Sequence, residues 1–154
     1  MFHRYDYEAE FYHSLSRLPL DLRRKLDVTG VKLSLKTWLS FSVEERTVLC
    51  HLPCDSHEEQ SAFTAYLEFL ASRYGSAPIE ITEKLSDSLW DSSQVPQPVR
   101  QKSASLDRAV TLDQWRGWQS HDRYALYKTA VSKSQPEAFA QVLKQLQDAS
   151  KNRG

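Results

Sequence analysis

Apolar positions along this chain fall mostly at helical spacing. Phe63, Tyr66, Leu67 and Leu70 stand at i, i+3, i+4 and i+7, with Tyr74 extending the stripe, and Phe139, Val142, Leu143 and Leu146 repeat the pattern near the C-terminus. Each set lines one face of a helix and must be buried against something. Start signals agree: SVEE (Ser42 to Glu45), SHEE (Ser56 to Glu59), TLDQ (Thr111 to Gln114) and SQPE (Ser134 to Glu137) all fit the capping box. There a hydroxyl accepts from a free backbone N–H while the fourth residue reaches back to satisfy another. Gly30 and Gly75 sit where helices would stop, Pro19 and Pro96 where they would begin. Besides the two striped helices, the pattern predicts helices over 7–17, 20–29, 43–52, 97–104 and 120–132, with short turns starting after Ser34 and Thr111. Strand signals are confined to VKLSL (31–35) and IEIT (79–82), enough for a minor strand pair. The predicted class is all-α.

The chain also says nearly the same thing twice. LSLKTWLSFSVEER (33–46) is echoed by VTLDQWRGWQSHDR (110–123). At an offset of 77 (96 − 19), Pro19, Arg23, Lys25, Leu35, Trp38, Arg46 and Leu49 recur as Pro96, Arg100, Lys102, Leu112, Trp115, Arg123 and Leu126. The simplest reading is a single domain, residues 1–154, in which two similar helical hairpin halves (about 18–51 and 95–128) share a core. The stretch Gly75 to Pro98, rich in Ser, Asp and Pro, reads as the connection, with Trp90 as its anchor on the core. The polar tail DASKNRG is expected to fray.

Length and composition narrow the function classes. A chain of 154 residues suits one compact domain. Twenty basic and 20 acidic residues leave a formal net charge of zero, which disfavours a nucleic acid or an anionic membrane held by long-range attraction. The most apolar stretch, AFTAYLEFLA, is too short to span a bilayer and is interrupted by Glu68, and the N-terminus has no apolar signal-peptide core. Two cysteines are too few for a disulfide scaffold, so a cytoplasmic location is expected.

Candidate chemistry is sparse. No nucleophile with a base and no glycine-rich phosphate loop occurs, and only 4 glycines are present. No enzyme activity and no cofactor is expected. CHLPCDSH places Cys50, His51, Cys54 and His57 close together, residue types that soft metals favour. The Cys-x3-Cys spacing and the helix-breaking Pro53 make small buried thiols the simpler reading, leaving Cys50, Cys54 and His57 as weak metal candidates. The matched pairs Arg23 with Arg46 and Arg100 with Arg123 would suit an oxyanion such as nitrate or molybdate if they converged. Pinning helix ends inside each hairpin is the plainer role. TLDQWRGWQSHDRYALYK can be drawn as a helix-turn-helix, but its second helix offers few base-reading side chains.

The run YDYEAEFYHSLSRLPLDLRRKLDVTGVKLSLKTWLSFSVEERTVLCHLPC resembles the nitrate reductase-associated protein family of cyanobacteria and proteobacteria. So does VPQPVRQKSASLDRAVTLDQWRGWQSHDRYALYK. The matching positions include Leu15, Leu18, Pro19, Arg23 or Arg24, Lys25, Leu26 and Asp27, then Gly30 to Leu33, Trp38, Glu45, Arg46 and Leu52 to Cys54. In the second half they are Trp90, Pro96, Thr111, Leu112, Trp115, Arg123, Leu126 and Lys128. The likeness fades after residue 132 and is weak in the middle connection. It implies a small accessory protein whose partner is the molybdoenzyme nitrate reductase, with no catalytic residues to carry over. The positions expected to bear a partner or an anion are Arg23, Lys25, Asp27, Trp38, Arg46, Arg100, Trp115 and Arg123, with Cys54 beside them.

Overall fold

A computed structural model describes residues 1–75 and 79–153 and divides the chain into two compact units. The first comprises Met1–Arg4 and Glu8–Ser86, the second Tyr5–Tyr7 and everything from Asp87 onward. The fold is mostly helical with one two-stranded antiparallel sheet. Ser76 to Pro78, within the expected connection, lie outside the described residues.

The helix expected over 7–17 is instead a short 3₁₀ helix, Asp6–Phe11, followed by a turn. The reason lies at Leu15, which is buried and takes the left-handed conformation at φ 50°. A non-glycine residue stays there only when its surroundings hold it, and here its carbonyl is gripped by two side chains described below.

α1 (Leu20–Thr29) begins after Pro19, whose side chain cannot cap it. Gly30 closes α1 in the left-handed conformation at φ 72°, its N–H returning to the Leu26 carbonyl. β1 (Val31–Lys32) then pairs with β2 (Glu80–Ile81) in the register Val31 with Ile81 and Lys32 with Glu80. α2 (Leu35–Ser40) is a one-turn helix where only a turn was expected, because the Ser34 hydroxyl accepts from the Thr37 N–H. α3 (Val43–His51) and α4 (His57–Arg73) both open on complete capping boxes, at Ser42–Glu45 and Ser56–Glu59. The core of this unit gathers Leu22, Leu26, Trp38, Phe41, Leu49, Phe63, Leu67 and Leu70.

The second unit starts with a 3₁₀ helix, Asp87–Trp90, and continues through α5 (Gln97–Ser105), α6 (Leu112–Gly117), α7 (Ser120–Val131) and α8 (Pro136–Arg153). Trp90 is buried, its ring edge-on to Tyr124 at 5.0 Å. Val99, Trp115, Leu126, Phe139, Val142 and Leu143 are among the other residues buried in this unit. The Thr111–Gln114 capping box forms. The one expected at Ser134 does not, because α8 starts at Pro136, and proline prefers the first helical position. That moves the cap one residue on, to Gln135, whose carbonyl accepts from Ala138. The tail expected to fray is helical through Arg153, while Gly154 lies outside the described residues.

Element positions recur between the units. α6 starts 77 residues after α2 (112 − 35) and α7 starts 77 after α3 (120 − 43). Among the described residues no helix is long and apolar enough to cross a membrane.

Candidate functional site

Polar chemistry concentrates on α1. Asp21 and Lys25 stand one turn apart and both are buried. The Asp21 carboxylate accepts from the Arg24 Nε at 2.9 Å and from the His3 backbone N–H at 3.0 Å, with the Lys25 ammonium 3.9 Å away. Lys25 is fully buried and donates to the carbonyls of Met1 (3.2 Å), Leu49 (3.4 Å) and Cys50. The last two belong to the C-terminal turn of α3, where carbonyls have no helical partner and a cation is favoured. Burial lowers the Lys25 pKa, and Asp21 opposes the shift. Arg24 also reaches Asp55 at 3.5 Å.

Glu8 joins this system from the preceding segment. It is buried, and its two carboxylate oxygens accept from the Leu20 N–H at 3.0 and 3.2 Å while Tyr12 donates at 2.7 Å. The carboxylate therefore supplies the cap that Pro19 cannot. Burial nonetheless dominates and raises its pKa from 4.5 to about 7.

The paired Trp and Arg positions form two clasps, one in each unit. In the first, the Trp38 indole donates to the Leu15 carbonyl at 2.8 Å. Arg46 donates to Trp38 (3.1 Å), Leu39 (3.0 Å), Ser14 (3.0 Å) and Leu15 (3.5 Å), all backbone carbonyls. In the second, Trp115 donates to the Asp91 carbonyl at 2.6 Å, and Arg123 to those of Trp90 (2.8 Å) and Trp118. Each pair thus ties the segment leading into its unit to the turn between two helices. Burial lowers the Arg123 pKa, with Asp91 opposing.

The remaining candidates are not drawn into these clasps. Arg23 is exposed on α1, its Nε on the Leu18 carbonyl at 3.3 Å, and Arg100 is exposed on α5. Asp27 is half-buried, its carbonyl accepting from Leu85 at 3.0 Å. Cys50 and Cys54 are buried and unpaired as thiols, and burial pushes their pKa values up to about 12 and about 11. Such thiols are poor nucleophiles and poor metal ligands. His57 opens α4 at the surface, and among the described residues no three of His, Cys, Asp and Glu gather as a metal site. In the second unit, Asp6, Tyr7, Gln141, Lys144, Gln145 and Asp148 line a shallow, mixed-charge cleft.

From sequence, Asp21 is not singled out, Arg24 figures only as an alternative to Arg23 in the family motif, and Glu8 only among the N-terminal carboxylates. The spacing of Asp21 with Arg24 and Lys25 (i, i+3, i+4) was a usable signal, since such pairs meet on one helix face. Glu8 carries no such signal, because its neighbours in YDYEAEF include Asp6 and Glu10 and nothing in that spacing marks one carboxylate for burial.

Fold and site together define a class: a small, mostly helical protein in which the buried charged groups hold backbone turns and helix ends. Within that class the chain belongs to the family of conserved nitrate reductase-associated proteins, whose model matches residues 4–146. The match runs well past residue 132, where the motif likeness fades, and takes in most of α8. No curated protein and no solved structure shows a significant match to the chain.

Proposed function

We propose that the protein is a non-enzymatic, cytoplasmic accessory factor of assimilatory nitrate reductase. It supports that molybdoenzyme's assembly, cofactor insertion or activity by direct contact. The observation that carries this reading is the family match over residues 4–146. Geometry adds support by giving Lys25, Arg46 and Arg123 structural partners, which leaves the exposed surface as the means of action. The competing reading, an oxyanion at the paired arginines or a metal at Cys50, Cys54 and His57, is disfavoured by the carbonyl clasps and the raised thiols.

The docking face is the outer stripe of α4, Ala62, Tyr66, Phe69 and Arg73, at i, i+4, i+7 and i+11. Phe69 is 57% exposed and stacks on Tyr66 at 6.4 Å, and the Arg73 guanidinium lies 5.7 Å from the Tyr74 ring. Aromatic and Arg side chains are the favoured anchors of protein interfaces.

Affinity purification of the tagged protein from nitrate-grown cells tests the reading, with nitrate reductase polypeptide and molybdenum measured in the bound fraction. Enzyme lacking molybdenum is the result expected of a maturation factor, and loaded enzyme that of an accessory subunit. Absence of the enzyme from the bound fraction would overturn the proposal.

A further inference from the structure

The outer face of α4 is patterned alike in both directions. Glu58, Ala62, Ala65, Tyr66, Phe69 and Arg73 follow one another at steps of four, three, one, three and four residues. At about 100° per residue they fall within about 100° of arc, so they form one stripe about 22 Å long. Five of the six are exposed, and Tyr66 is half-buried, stacked on Phe69 at 6.4 Å. The charges of the stripe stand at its two ends, an acid first and a base last. The Arg73 side chain is 60% exposed despite the Glu45 carboxylate at 3.6 Å, which leaves guanidinium N–H groups open to a further acceptor.

A twofold axis passing between Ala65 and Tyr66 lays this stripe on that of a second copy with every position facing its complement. Glu58 faces the other copy's Arg73, Ala62 its Phe69 and Ala65 its Tyr66, and each contact is made twice. A ring set against a methyl group is how facing helices interdigitate, and the two alanines let the helices approach while Phe69 fills the space beside them. Parallel copies would instead set Glu58 on Glu58 and Arg73 on Arg73, like-charge contacts that oppose association.

We propose that α4 is a self-association surface, on which two copies of this chain pack antiparallel about that axis and close as a dimer. The occupant is a second copy because the stripe complements itself both in charge and in side-chain size. One helix face per copy makes a small interface, so the dimer is weak and exchanges rapidly, and the chain is monomeric at the low concentrations of an unfolding experiment. The inference does not rest on the nitrate reductase reading, and its test uses the purified chain alone. Because the dimer covers the stripe assigned above to the enzyme, enzyme and second copy exclude each other there.

Sedimentation equilibrium of the full chain from about 10 μM to about 1 mM, the span in which small interfaces fill, is the test. A monomer–dimer equilibrium with no larger species is expected. Ala62→Glu sets a carboxylate against the other copy's Phe69 and is expected to weaken dimerisation at least tenfold. Glu58→Arg sets like charges together and is expected to weaken it several-fold, whereas adding Arg73→Glu re-forms both ion pairs and should return it to near the wild-type level. Should that double variant lose its native dichroism, Phe69→Ala and Ala62→Phe make the comparison by size, weak singly and restored together. A chain still monomeric at about 1 mM would overturn the proposal and leave the stripe to a different protein. So would a dimer indifferent to Ala62→Glu and Glu58→Arg, which places the contact elsewhere. Weakening in the single variants with no recovery in either double variant would overturn the antiparallel register.

Discussion

Single side chains carry unusual weight here because several serve the backbone. Arg46 satisfies the carbonyls of Trp38, Leu39 and Ser14 at 3.0–3.1 Å. Truncation removes the charged donor from carbonyls that are partly or wholly buried, while the Trp38 carbonyl keeps the Phe41 N–H, so Arg46→Ala is expected to lower stability by about 1–3 kcal/mol in chemical denaturation. Arg46→Lys should recover only part of that, since an ammonium cannot reproduce the guanidinium fork. Arg123→Ala should cost less, because that side chain is less buried and holds fewer carbonyls. Glu8 makes a different prediction. Its pKa rises from 4.5 to about 7 in the fold, so between those values the native state holds a proton that the unfolded chain has released. Stability therefore falls as pH rises from about 4.5 to 7, by roughly 3 kcal/mol at most. Denaturation midpoints across pH 5–8 should show that decline in the wild type and a flatter profile in Glu8→Gln.

At the scale of elements, Gly30 is the position with least freedom. It stands at φ 72°, and a Cβ there would lie 2.6 Å from the Thr82 carbonyl oxygen. Gly30→Ala would therefore strain both the close of α1 and the β1–β2 pairing. A loss of at least about 1 kcal/mol in thermal or chemical unfolding is expected. Boundaries such as Leu20–Thr29 were legible in the sequence because local chemistry sets them, Pro19 and Gly30 at one helix, Ser42 with Glu45 at the next. The lead-in helix was misread for the opposite reason. Long-range demand on the Leu15 carbonyl, from Trp38 and Arg46, overrides the helical preference of 7–17. The α1 charge cluster was half legible: Lys25 was marked, but its partners are carbonyls 24 or more residues away, and backbone acceptors leave no trace in a sequence.

On the scale of the whole molecule, the proposed action by contact rests on the family relationship and on the exposed stripe of α4. Phe69→Glu is expected to abolish recovery of nitrate reductase with the tagged protein while leaving the unfolding midpoint within about 0.5 kcal/mol of the wild type, the usual range for a surface change. Loss of recovery together with loss of stability would instead assign Phe69 to folding. The recurrence of α2 and α3 as α6 and α7, each pair with its own Trp and Arg clasp, makes the two units alike in plan though not in residue content.

That difference in content has an optical consequence. All four tryptophans are buried, Trp38 in the first unit and Trp90, Trp115 and Trp118 in the second. Tryptophan fluorescence, excited selectively at the red edge where tyrosine does not absorb, is thus weighted towards the second unit, and in a Trp38→Phe chain it comes from that unit alone. Far-ultraviolet dichroism sums over the helices of both. Followed together on one melting sample, the two signals turn the unequal sharing of indoles into a built-in gauge of how far the halves unfold as one.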